Sequence, residues 1–421
     1  MKYLFGFLIT VVGLFSCGTE KTVEEKTPVQ KPVSEMNDEE LTAYADSLAH
    51  KFIIADSHVD LPYRLTTKFF RLFREYIGIP IQSDEGDFDY VRAKKGGLDA
   101  PFMSIYIPAS YQETGGAKQY ADSLINMIET IVQEHPDKFA LAKTAGEVKA
   151  NFEKGLISLP LGMENGAPIQ ELSDVAYYQQ KGIRYVTLTH SKDNKICDSS
   201  YDTTGTHGGL SDFGKDVVKE MNKQGIMVDI SHVSDSTFYQ VVRMTDVPVI
   251  ASHSSCRKFT PGWERNMNDD MIKKLGENGG VIQINFGSTF LDSEIKKQRD
   301  SLRNVRDAML AEAKVTMDDS VGMAMVKEFN ETHKEALYAD LDLVTDHIAH
   351  VVDLIGIDHV GFGSDFDGVG DSLPTGLKDV SMYPNLIKTL LKRGFSPEDI
   401  EKICFGNLAR VWDEVEAAAG R

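Results

Sequence analysis

Cysteine is scarce: four in 421 residues, too few for a disulfide scaffold. Positive charge is short as well. Lys and Arg number 45 against 64 Asp and Glu, a formal net charge of −19 with neutral His. A chain this acidic repels phosphate backbones, so nucleic acid is excluded as the expected partner. No apolar run reaches the roughly 20 residues of a membrane-spanning helix, which excludes a polytopic membrane protein. There is no G-x-G-x-x-G, no P-loop and no short internal repeat. What is present is an ordinary globular balance, 42% hydrophobic and 26% charged. The length admits two or three domains, or one α/β barrel with insertions.

Residues 1–17 read MKYLFGFLITVVGLFSC. Lys2 precedes an apolar run from Tyr3 to Phe15, which suits a signal-peptide core. The end of the run, Leu14-Phe15-Ser16-Cys17, resembles a bacterial lipoprotein signal, although Phe15 is bulkier than the small residue usual there. The resemblance implies cleavage before Cys17 and lipidation of its thiol. The expected location is then the bacterial cell envelope, lipid-anchored to a membrane and facing the periplasm or the surface. Residues 18–37 are rich in Glu, Lys, Thr, Pro and Val without apolar period, and read as a disordered tether. The folded domain is expected over 38–421. Cys197, Cys256 and Cys404 share no metal-motif spacing and allow at most one disulfide.

Eight apolar, β-rich runs recur along that domain: Phe52–Ala55, Phe102–Ile107, Leu156–Leu161, Arg184–Leu188, Ile226–Ile230, Val247–Ala251, Gly280–Ile284 and His359–Phe362. Near-continuous apolar runs are the mark of parallel strands buried on both faces. Amphipathic stretches such as Tyr120–His135, Asp212–Gln224 and Leu343–Ile355 lie between them. Eight such units predict a (β/α)₈ TIM-type barrel; the competitor is a doubly wound open sheet, whose phosphate fingerprints are missing. Two segments, 67–92 and 291–340, read as insertions at or beside the barrel mouth, and most of the second reads as decoration.

Barrel active sites lie at the C-terminal ends of the strands. Here those ends are polar. His58 and Asp60 close the first run, two apart and therefore on one side of an extended backbone. Glu164 follows the third, His190 the fourth, His232 the fifth, His253 the sixth and Asp365 the eighth. A lone strand-end His is more often a hydrogen-bonded rim residue than a ligand. The coincidence at so many ends points instead to borderline divalent ions such as Zn²⁺, and to two of them, since the donors exceed what one catalytic zinc needs.

The segments ADSHVDLPYRL, GMENG, GIRYVTLTHS, VDISHVS, PVIASHSS, RNMNDD, GFGSDFDG and FGNLARVW resemble, in collinear order, the membrane (renal) dipeptidase family of zinc-dependent amidohydrolase-type barrels. The resemblance implies a binuclear zinc dipeptidase acting on dipeptides with a free C-terminal carboxylate through a hydroxide shared by the metals. It assigns His58 and Asp60 to one ion, His232 and His253 to the other, and Glu164 as the bridge. It implies that His190 orients substrate and stabilises the tetrahedral intermediate. Arg265 would hold the substrate carboxylate, Asp365 would move the proton, and Asn285 would help shape the pocket. Family members form homodimers, so a dimer is implied too. The family often has Gly where Ser57 and Asn165 stand. Two rival readings remain: another metal-dependent amidohydrolase, acting on N-acyl amino acids or cyclic amides, and a non-catalytic peptide-binding lipoprotein.

Overall fold

The computed structural model describes residues 31–66, 81–83, 85–317 and 319–420. The signal segment with Cys17, most of the tether and positions 67–80 of the first insertion lie outside the described residues. Eight strands form one parallel sheet: β1 (Ile54–Val59), β2 (Leu98–Tyr106), β5 (Leu161–Glu164), β6 (Ile183–Thr187), β7 (Met227–Asp229), β8 (Ile250–Ser254), β9 (Val281–Ile284) and β10 (Val360–Phe362), in that spatial order. The chain just beyond β10 returns to β1. Asp60 N donates to Phe366 O at 2.8 Å and Asp365 N to His58 O at 3.1 Å, which brings the sheet to near closure as a (β/α)₈ barrel.

The expected run Leu156–Leu161 divides at Pro160. Its first half, β4 (Ile157–Leu159), pairs with β3 (Phe139–Leu141) in a separate two-stranded sheet. The barrel strand starts only at Leu161. Proline lacks the N–H that would carry one ladder through this point, while its carbonyl accepts from Met103 N in the barrel. Elsewhere the helices follow their local signals. The helix Asp212–Gln224 begins at a Ser211 side chain accepting from Gly214 N and stops at Gly225, whose φ of 69° is left-handed.

The barrel's N-terminal end is plugged. Trp412, Leu408 and Val415 of the C-terminal helix Asn407–Ala418 pack with Ala55, Ala100 and Tyr185 from the strands. With that end filled by apolar side chains, the opposite end is left for chemistry. Two brackets brace it. Asp56 accepts from His58 N, Ser364 N and the Tyr383 hydroxyl, joining the β1 and β10 ends. Asp87 and Asp367 each accept the other's backbone N–H, at 2.6 and 2.7 Å, which ties the described end of the first insertion to the barrel mouth. The second insertion folds mainly as the helices Ser293–Ala313 and Ser320–Thr332. Cys197, Cys256 and Cys404 are buried and free, so the one allowed disulfide does not form.

Candidate metal centre

Glu164 stands at the centre of the barrel mouth, buried, at the end of β5. Its Oε2 lies 3.4 Å from His58 Nε2. Its Oε1 lies 3.2 Å from both His232 Nε2 and His253 Nε2, and 3.6 Å from His190 Nε2. One carboxylate oxygen thus faces each of two imidazole sets. Asp60 Oδ2 is 3.4 Å from His58 Nε2. Three groups of potential ligand atoms lie mutually within 4.8 Å: His58, Glu164 and His253; Glu164, His190 and His232; and His58, Asp60 and Asp365. Every sequence-predicted ligand is therefore in the cluster, and His190 and Asp365 stand within ligand reach as well.

The imidazoles are aimed by partners on their far sides. The Tyr185 hydroxyl donates to Ser57 O, so it accepts from His58 Nδ1 at 2.9 Å. Ser252 Oγ donates to Asp229 Oδ2 at 2.6 Å, so it accepts from His253 Nδ1 at 2.8 Å. Both rings then turn Nε2 toward the carboxylates, the usual way in which outer partners fix a metal-binding His. Burial drives His253 and His232 well below the ordinary imidazole range, with Arg265 and neighbouring imidazoles adding to it, so they stand in the neutral form that a metal ligand requires. Glu164 is ionised: burial pushes its carboxyl up, but His58 and His190 outweigh it.

The donor set fits divalent ions. His58 Nε2, Asp60 Oδ1, His190 Nδ1 and His232 Nδ1 are buried without a hydrogen-bond partner. His232 and His253, kept neutral by burial, both turn Nε2 to the same Glu164 oxygen at 3.2 Å, an arrangement that a cation shared by the imidazoles and the carboxylate would satisfy. The backbone is bent to this end. Among the described residues, five non-glycine residues have left-handed φ, and four of them, Asn165, His232, Asp365 and Asp367, follow strands at the mouth.

Asp365 accepts from Asn285 Nδ2 at 2.7 Å, and burial, reinforced by Asp60, pushes its pKa up to about 7. Burial also lowers His190. Arg265 is buried with Nη1 donating to Ser254 Oγ at 2.8 Å and Nη2 to His253 O at 2.7 Å. Nη2 also approaches His232 Nε2 at 3.1 Å, and Nε has no partner. The cavity over the site holds about 660 Å³. Tyr63, Tyr106, Tyr201 and Phe290 contribute to its wall. So do Arg299 and Arg303, so part of the second insertion's long helix lines the cavity. Tyr185, Ser252 and Asp229 were also not singled out from the sequence. Asp229, an acid inside the apolar run IMVDI, carried a legible signal.

Residues 42–421 match the profile of the membrane dipeptidase family, peptidase family M19. The chain belongs to that family. It is 34% identical to the dipeptidase aclJ of Aspergillus oryzae, over 87% of this chain and 79% of that one. It is likewise 34% identical to the dipeptidase verJ of Clonostachys rogersoniana, over 86% and 84%. Among solved structures, the probable dipeptidase PvdM from Pseudomonas aeruginosa superposes with a TM-score of 0.74 at 24% identity, covering 91% of this chain and all of that one. A metallo peptidase from Rhodobacter sphaeroides, liganded with a phosphinate mimic of L-Ala-D-Ala, gives 0.69 at 22% identity, covering 86% and 99%. These likenesses agree with the barrel described above. As a membrane dipeptidase family member the chain is a hydrolase of the metallo-dipeptidase class.

Proposed function

We propose that this chain hydrolyses dipeptides carrying a free C-terminal carboxylate, using two zinc ions held by His58 and Asp60 on one side, His232 and His253 on the other, and Glu164 between. The observation that carries this reading is the split of Glu164, with Oε2 toward His58 and Oε1 toward His232 and His253. When bound, the ions would supply Lewis-acid polarisation of the scissile carbonyl and a water acidic enough to lose its proton near neutral pH.

The chain's own residues do the rest. Asp365, held by Asn285 and poised near neutrality, accepts the proton of the attacking water and delivers it to the leaving amine. His190, on the cavity wall, donates toward the oxygen that becomes negative in the tetrahedral intermediate. Arg265, braced by Ser254 and the His253 carbonyl, offers its unpartnered Nε–H to the terminal carboxylate. Its Nη2 becomes available as well once the His232 lone pair is committed to an ion. A dipeptide presents a charge to this guanidinium where a longer peptide presents an amide.

Purified protein is expected to carry close to two zinc equivalents, and chelation to abolish Ala-Ala hydrolysis until zinc is restored. Full activity in a metal-free preparation would end this reading. We also propose a lipid anchor at Cys17 in a bacterial envelope membrane, supported by the lipoprotein-like signal, and a homodimer, supported by the family resemblance. Cys17→Ser should move the protein from the membrane to the soluble fraction. Light scattering of the purified protein should give twice the chain mass.

A further inference from the structure

The cavity over the metal cluster is lined by four acids, Asp60, Glu164, Asp365 and Asp367, and by three arginines, Arg64, Arg299 and Arg303. Arg64 is committed: its Nη1 lies 3.1 Å from Asp367 Oδ1, and it also donates to the Glu85 and Phe88 carbonyls. The other two differ. Arg299 Nη1 donates to Leu337 O and Asp371 O, both at 3.0 Å, so two main-chain carbonyls fix the guanidinium in place. Carbonyls position a cation without neutralising it. Among the described residues, no carboxylate oxygen comes within 4.0 Å of Arg299. Arg303, one turn on, reaches only Asp300 of its own helix at 3.5 Å; both side chains are more than half exposed, and such pairs contribute little. Arg299 and Arg303 also line a second cavity of about 640 Å³, between the two long inserted helices. Two neighbouring guanidiniums, one of them pre-set, therefore stand at a junction of two open spaces, Arg299 answered only at longer range by Asp371 and Arg303 only by the exposed Asp300.

We infer that Arg299 and Arg303 form a second anion subsite, which selects dipeptides bearing a side-chain carboxylate, an Asp or Glu residue. The inference rests on the dipeptidase reading and deepens it. The terminal carboxylate is assigned to Arg265, beside His232 and His253, and the scissile bond to the Glu164 cluster. What extends toward the inserted helix is then a side chain or the free amino group. Two guanidiniums repel an α-ammonium and attract a carboxylate, for which the planar guanidinium fork is the matching receptor. An overall charge of −19 makes this local positive pair the more necessary for an acidic substrate to enter.

The test uses the zinc-loaded enzyme and two isosteric substrate pairs, Ala-Glu with Ala-Gln and Glu-Ala with Gln-Ala. In at least one pair the acid is expected to exceed the amide in kcat/KM by about tenfold or more, the size of a charge-assisted hydrogen bond. The R299Q/R303Q double variant should bring that ratio close to one. R303E, a change on an exposed helix face, should lower the ratio below that of the wild type without endangering the fold. Equal turnover of acid and amide in both pairs, or a preference that survives the double variant, would overturn the subsite while leaving the dipeptidase reading intact. Failure to cleave any of the four substrates would instead bring down the dipeptidase reading, and the subsite with it.

Discussion

Asn285 donates its Nδ2–H to Asp365 Oδ2 at 2.7 Å, and Asp365 offers a carboxylate oxygen within 4.8 Å of ligand atoms of His58 and Asp60. Asp365 stands within ligand reach of His58 and Asp60, so geometry alone allows it to be a ligand or a proton carrier. Asp365→Asn separates the two. As a proton carrier, its loss should lower kcat on the order of 10²–10⁴, with bound zinc retained. Zinc analysis beside Ala-Ala kinetics reads this directly. Zinc lost in step with kcat would make Asp365 a ligand.

Gly368 offers a second test of how tightly the acids are set. A Cβ there would lie 2.2 Å from both Asp365 Oδ1 and Asp60 Oδ2, while the backbone is not in the left-handed region. Gly368→Ala therefore adds no backbone strain but displaces both carboxylates. The variant should fold, keep its far-UV circular dichroism, and bind zinc at least about tenfold more weakly, as when the supporting shell of a site is disturbed. Zinc affinity and turnover like those of the parent would show that the two acids have room to give.

The polar strand ends were legible because each breaks a buried apolar run, and a polar group at the end of a buried strand needs a reason. Their grouping was legible only through the barrel, which turns eight separated ends into one ring. Tyr185 was not. In RYVTL it reads as an ordinary strand aromatic, and its inward hydroxyl depends on Gly162 across the sheet, where a Cβ would lie 2.0 Å from the ring. Pro160 hid a strand boundary inside a run that hydropathy joins. Arg299 and Arg303 look like solvated charges one helical turn apart. Nothing local tells that their helix lines the cavity.

Ser252 tests the outer partners. It accepts from His253 Nδ1 and passes the contact on to Asp229, which also accepts from Ser252 N at 2.8 Å, Ser231 N at 3.0 Å and the Thr187 hydroxyl. Ser252→Ala leaves His253 present but removes the group that fixes its ring. Zinc affinity should fall about 10–100-fold, with thermal stability of the zinc-saturated protein little changed. Titration against a chelator of known affinity gives the number, and an unaltered affinity would make the Ser252 contact incidental.

His347 lies away from the cluster and sets a pH limit on the fold. It is fully buried on the helix Leu341–Ile355. Its Nδ1 accepts from Cys256 N at 3.0 Å, so its Nε2–H donates to Leu291 O, also 3.0 Å away. That neutral ring pins the segment after β8 and the start of the second insertion to one helix. Burial lowers its pKa from the usual 6.5 to about 4. Between those values the unfolded chain takes up a proton that the folded chain refuses. The contribution is therefore complete above pH 6.5, declines as the pH falls toward 4, and is constant below it. At pH 5 the loss from this one group is about 2 kcal/mol. In urea titrations, wild type should lose that much more stability than His347→Gln between pH 7.5 and pH 5. The variant starts lower because Gln fits the two contacts less well, but its slope is the readout. Parallel slopes would mean that His347 gains its proton without cost to the fold.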